Sequence, residues 1–238
     1  MFQLKNAAQY IQLANSISPG DLNLVYPMWE RKGTVGYEQI TGLKNLTYTS
    51  VTLDNTKFVT GDRAPIWDGI NDIAENTAIN PYIDQVKGTI AIWVKVNAAF
   101  WVDDSFRMFW DFRLNSNNYF QFGKHSNNKL RIYYYGNGSV GAFTTGIVPS
   151  NLTTWWLCTV TYDITGSQRV EVYENDAYLS GVNTTPANVM VGPPTSLNVG
   201  SRPGGTWGHV GNLAYFMHWK SKVLALADIQ KLYRRLAA

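Results

Sequence analysis

Very little in this sequence can support thiol, metal or acid–base chemistry. Its 238 residues hold one cysteine, three histidines and five glutamates. A single cysteine excludes an internal disulfide, and Cys158 sits in the apolar run WWLCTVTY, where a buried, inert thiol is expected. Charged residues are only 16% of the chain, the net charge is +3, and no run of five basic residues occurs. That excludes the dense basic stripe that a nucleic acid partner demands. No apolar stretch approaches the roughly 20 residues needed to span a bilayer, so no membrane partner is expected. The opening residues also lack the basic and apolar regions of a secretory signal, which implies synthesis in the cytoplasm without a signal peptide.

What is plentiful is Asn, Thr, Gly, Tyr and Trp, a mixture that suits pleated surfaces joined by polar turns. The first twenty residues carry Leu4, Ala7, Ala8, Ile11 and Ala14 at helical spacing, ended by SPGD at 18–21. They predict an N-terminal helix or arm over residues 1–22, either docking a partner or packed on the rest of the chain. From there the period changes to two. TIAIWVKV (89–96) alternates Ile90, Ile92, Val94 and Val96 against Trp93 and Lys95, and RMFWDFRL (107–114) alternates Met108, Trp110, Phe112 and Leu114 against Arg107, Asp111 and Arg113. NYFQFG, LRIYYY, WWLCTVTYD and RVEVYE follow, separated by Asn/Gly/Asp turns. Short strands at near-regular spacing, with no βαβ alternation, predict an all-β antiparallel sandwich. Near the C-terminus, Leu224, Ile229, Leu232, Tyr233 and Leu236 form a helical stripe.

Five segments in order resemble the laminin G-like (LamG) family of the concanavalin A-like lectin/glucanase superfamily. They are YEQITGLKNLTYTS (37–50), APIWDGINDIAEN (64–76), GTIAIWVKV (88–96), the hairpin TWWLCTVTYDITGSQRVEVYENDAYLSG (154–181), and LNVGSRPGG followed by WGHVGNLAYFMHWKSKVLALADIQKLY. The resemblance covers residues of about 25 to 236. It implies a jelly-roll sandwich over 23–238, a fold that hosts lectins, hydrolases, adhesion modules and virion proteins alike. The chain departs from the family pattern at Asn212-Leu213-Ala214-Tyr215, where an acidic pair is replaced, and at Asn175-Asp176, where the hairpin turn is usually Asn-Gly.

Catalytic carboxylates are hard to find. Glu171 and Glu174 differ by three, so on a strand they point to opposite faces; Asp103 and Asp104 are loop neighbours. No Gly-x-Ser-x-Gly elbow occurs. His125 sits in a turn, His209 and His218 flank the last strand, and His218 is expected to be a half-buried structural histidine in line with Ala214 and Phe216. No enzyme is expected and no catalytic residue is assigned. The acid-rich stretch WDGINDIAE offers calcium ligands in Asp68, Asn71 and Asp72, with Asp62 near by, although Asp68 and Gly69 also suit a simple turn; no other cofactor is implied.

Sugar binding needs a flat aromatic face with amides and carboxylates around it. Trp101, Tyr119, Tyr133, Tyr135 and Trp207 are the candidates for that face. A free-standing LamG-like domain with an N-terminal arm predicts a virion surface protein, a capsid decoration or fibre-type module that partners other virion proteins or further copies of itself and contacts host glycans. The alternative is a free-standing carbohydrate-binding module or lectin, and a glycoside hydrolase is the third reading.

Overall fold

Alternation of apolar and polar residues over five to ten positions buries one face of a strand and exposes the other, so such strands stack into two sheets. The computed structural model, which describes residues 7–58, 62–150 and 153–237, shows this arrangement. In chain order it has helix α1 (Ala7–Ile17) and strands β1 (Leu22–Tyr26), β2 (Val35–Gly36), β3 (Leu46–Thr49), β4 (Thr52–Lys57), β5 (Arg63–Asp68) and β6 (Ile73–Asn76). Next come β7 (Lys87–Val96), the one-turn α2 (Ala98–Trp101), β8 (Arg107–Asn115), β9 (Asn118–Lys124), β10 (Leu130–Gly136) and β11 (Ser139–Ile147). The chain continues through β12 (Trp156–Asp163), β13 (Arg169–Glu174), β14 (Ala177–Asn183), β15 (Ser196–Val199), β16 (Val210–Lys220) and α3 (Leu226–Ala237).

One sheet runs β14-β13-β12-β7-β16-β5-β4, with β1 also on β16; the other runs β11-β10-β9-β8-β15-β6-β3-β2. The strand pairs are antiparallel. Between the sheets lies the main core, where Ile90, Ile92, Val94, Trp156, Val160 and Phe216 meet Trp110, Phe112, Phe120, Phe122, Ile132 and Tyr134. Cys158 lies in this core, and burial pushes its thiol well above the ordinary range, which removes it from chemistry.

A second apolar cluster covers the outside of the first sheet. There Trp93, Leu157, Ala214, Tyr215, Met217 and Trp219 meet Tyr10 and Ala14 of α1 and Ile229 and Leu232 of α3. Trp93 Nε1 donates to Tyr10 Oη at 2.9 Å, and the Tyr233 ring stacks on Trp93. The N-terminal helix therefore packs on its own sandwich. Its buried stripe centres on Tyr10 and Ala14, whereas Ala8 is exposed; Leu4 and the side chain of Leu236 lie outside the described residues.

Two further expectations are corrected. A bulge in β16 at Tyr215, whose φ is +50°, turns Ala214 to the helix side and Phe216 to the core. His218 is then fully buried, bonded to Tyr162 Oη and to Asn23, and burial lowers its pKa to about 3. WDGINDIAE is the corner at which the chain crosses from β5 in one sheet to β6 in the other.

Candidate functional site

The corner shows what its acids do. Asp68 Oδ1 accepts from the Ile70 amide at 2.8 Å and Asp72 Oδ2 accepts from the Asp68 amide at 2.6 Å, while Gly69 takes a φ of +83°. A Cβ at Gly69 would lie 2.4 Å from Val210 Cγ2, so this turn requires glycine. Asp72 is 2% exposed; burial raises its pKa to about 6. Asn71 is exposed at the turn's rim, and Asp62 accepts from Tyr215 Oη at 3.1 Å on the far side of the strand. Among the described residues, no three His, Cys, Asp or Glu side chains gather closely enough to hold a metal ion. The geometry supports the turn role for Asp68 and Asp72.

The remaining carboxylates of the sequence reading hold structure together. Burial raises the pKa of Asp103, but hydrogen bonds from Arg107 and Lys124 outweigh it and bring it down to about 2. Asp104 accepts from Asn128, Glu171 from Tyr173, and Glu174 from Ser150. His209 is buried next to Trp67 and Phe109, and its pKa falls to about 3 through burial.

The aromatic candidates divide. Trp101 is 5% exposed and packs in the main core at the end of α2, so it is not available as a surface platform. The other four converge on the outer face of the second sheet. Antiparallel register puts directly opposed residues on the same face. Tyr135 opposes Tyr119, which opposes Arg113; in the next row Tyr133 opposes Gln121, then Asp111, then Asn198, then Glu75. Tyr119, Tyr133 and Tyr135 are half-buried and mutually stacked, with ring centroids 5.1 to 5.8 Å apart and interplanar angles of 10 to 20°.

Trp207 joins them from the loop between β15 and β16. It stacks on Phe106 at 4.5 Å and 17°, and Arg202 from the same loop lies over it at 4.0 Å. Trp207 has a φ of +59°, uncommon for so bulky a residue. The loop is pinned by Met108 N donating to Trp207 O at 2.8 Å, Arg202 N to Thr206 O at 2.8 Å and His209 N to Gly200 O at 2.6 Å. A backbone held in this region where the surroundings over-determine it is a feature that functional loops tend to carry.

Three guanidinium groups complete the face. Arg113 lies 4.5 Å over the Tyr119 ring, Arg131 4.3 Å over Tyr133, and Arg202 reaches both Trp207 and, at 5.8 Å, Tyr119. Arg131 also stands 5.9 Å from Phe106. The contacts close a ring: Arg202, Trp207, Phe106, Arg131, Tyr133, Tyr119 and back to Arg202. Beside and beneath it lie polar groups that are buried although they point away from the core. Asp111 is fully buried, with Oδ2 2.7 Å from Arg113 and 3.6 Å from Arg202. Asn198 is 0% exposed with neither side-chain atom hydrogen-bonded, and Asp111 Oδ1 and Gln121 Oε1 are likewise without a partner. Buried polar atoms in native proteins are nearly always satisfied, so such a cluster calls for an account.

The sequence reading had four of the aromatics but not Arg113, Arg131, Arg202, Asp111, Gln121, Asn198 and Phe106 as one set. A signal was present in Arg113 and Asp111, and in Arg131, Tyr133 and Tyr135, each spaced by two on one strand face. Cross-strand register, which joins these strands, is not written in either strand alone.

Comparison with known proteins yields structures only: no family model and no curated sequence matches the chain. Trypanosoma rangeli sialidase matches over 91% of this chain and 33% of its own, with 12% identity and a TM-score of 0.67. The botulinum neurotoxin serotype D ligand-binding domain, in complex with N-acetylneuraminic acid, matches over 93% and 52%, with 13% identity and a TM-score of 0.68. This chain thus spans about a third of the sialidase and about half of the toxin domain. Together with the two antiparallel sheets, the likeness shows that the chain shares the antiparallel β-sandwich fold found in these proteins.

Proposed function

We propose that the protein is a non-catalytic carbohydrate-binding β-sandwich whose sugar-contacting surface is the outer face of β8, β9, β10 and β15. The observation that carries this is the convergence of Tyr119, Tyr133, Tyr135 and Trp207, each half-buried, on one outer face around polar atoms that lack partners. Aromatic faces take the C–H side of a pyranose, and amides and carboxylates take its hydroxyls, each of which both donates and accepts. The botulinum neurotoxin domain in complex with N-acetylneuraminic acid, which shares this fold over 52% of its own length, lends support to a carbohydrate reading.

Catalysis finds no comparable footing. The acid candidates Asp103, Glu171 and Glu174 are each engaged by neighbouring donors. The virion-surface reading, with partner virion proteins or further copies of the chain, rests on sequence features; light scattering and the identity of neighbouring genes test it. The carbohydrate reading is tested by titrating a glycan panel against the protein and its Tyr133→Ala and Trp207→Ala variants. Binding that both substitutions weaken supports it. Binding that neither alters, or no binding to any glycan, overturns it.

A further inference from the structure

We infer that the sugar recognised on this face is an acidic one, its carboxylate or sulfate group held by the guanidinium groups of Arg202 and Arg131 while a ring of the glycan rests on the aromatic platform. The inference depends on the carbohydrate-binding reading above.

Charge on the face is unbalanced. Arg113 and Arg202 share the single Asp111 carboxylate, at 2.7 and 3.6 Å, so two cations stand against one anion. Arg131 adds a third cation on the other side of Tyr119 and Tyr133, stacked on Tyr133 and close to Phe106. Glu75 is separated from Asp111 by the whole width of β15. Burial lowers the pKa of Arg202 and Arg131; at Arg202 the Arg113 charge lowers it further and Asp111 offsets this, while at Arg131 Tyr133 and Tyr119 work against the lowering and Arg202 adds a smaller push. An anion bound on this face would offset that excess of positive charge.

The geometry matches such an anion. Each of the three guanidiniums lies 4.0 to 4.5 Å from an aromatic ring centroid, and a guanidinium beside an aromatic face can still offer paired N–H donors to a carboxylate or sulfate. Arg202 is the most adaptable of the three. It comes from a loop, its side chain is partly exposed, and its ion pair with Asp111 is the longer one. An incoming anion can draw Arg202 from Asp111, leaving Arg113 to hold that carboxylate. The same movement would release one of the two guanidinium contacts on Asp111 Oδ2, leaving that carboxylate, whose Oδ1 has no partner, with capacity to accept from a sugar hydroxyl.

Paired glycans that differ only in their acid test this. Binding of sialylated, uronate-containing and sulfated oligosaccharides is measured against neutral counterparts by calorimetry, at about 50 and about 500 mM salt. The acidic member of at least one pair should bind about tenfold tighter and lose that advantage in high salt and in Arg202→Gln. Arg202→Lys, which keeps the charge but not the fork, should recover part of it. Carboxylated against sulfated ligands shows which acid is preferred. Equal binding of acidic and neutral partners, still lost in Tyr133→Ala, would overturn the acidic inference and leave the carbohydrate reading standing. Absence of binding to every glycan would overturn both, as would a single-stranded oligonucleotide binding this face in preference to all glycans.

Discussion

The two outer faces of this sandwich both carry large aromatic residues and surround them differently. Outside the first sheet, Trp93, Tyr215 and Trp219 are sealed beneath α1 and α3. Outside the second sheet, no helix among the described residues packs on Tyr119, Tyr133 and Tyr135; arginines lie against the rings of Tyr119 and Tyr133 instead. Burying an aromatic side chain is among the largest single contributions to stability, so the first face holds the fold together. The second leaves that free energy unspent, and its stacked rings are held mainly by cross-strand and cation–π contacts of about 0.5–1 kcal/mol each. One face is covered by helices, and the other is the one to which we assign the proposed binding.

The largest expected contrast comes from truncating a ring on each side. Trp93→Ala should destabilise the protein by about 3–5 kcal/mol, and Tyr133→Ala by about 1 kcal/mol or less, measured by urea denaturation. Similar losses at both positions would break the distinction between the faces. Next, Asp111→Ala removes the shared anion beneath Arg113 and Arg202. It should cost about 2 kcal/mol, below the range for a fully buried pair because both guanidiniums reach water, while Asp111→Asn costs less. If Asp111→Ala were neutral, the carboxylate would not be organising the arginines.

Acid titration is the third probe. His209 and His218 have folded pKa values of about 3, below the unfolded value near 6.5. The unfolded chain therefore binds more protons between those limits, and stability falls as pH drops through that window. Asp72, raised to about 6, has the opposite sign: its contribution weakens as pH rises from about 4 to 6, by an amount on the order of 2 kcal/mol. Two histidines against one aspartate predict net destabilisation by acid, and Asp72→Asn should steepen it by removing the opposing slope. A thermal melt series from pH 4 to pH 7 reads both effects. The smallest effect is expected at Tyr135→Phe, which removes one exposed hydrogen bond to Gly138 O and should change stability by about 0.5 kcal/mol or less.

Much of the fold was legible in alternation alone. Ile90, Ile92 and Val94 face the core, and Trp93 faces away, as period two requires. What alternation could not reveal is that Trp93's face is also covered, because the cover comes from helices at the two distant ends of the chain. Nor could it place His218, since the bulge at Tyr215 shifts the period by one residue. Of the aromatic site, composition and turn context pointed to Tyr119, Tyr133, Tyr135 and Trp207. Trp101 was misplaced because a one-turn helix folds it inward, and the arginines stayed hidden because their partners lie on other strands.

The most direct test of the contrast is to map a bound glycan residue by residue, by following amide and indole resonances during an NMR titration. The account predicts that shifts concentrate at Tyr119, Tyr133, Tyr135, Arg202 and the Trp207 indole, while Trp93, Trp219 and the helices are silent. Shifts gathered on the helix-covered side, or spread with no focus on the second sheet, would contradict it.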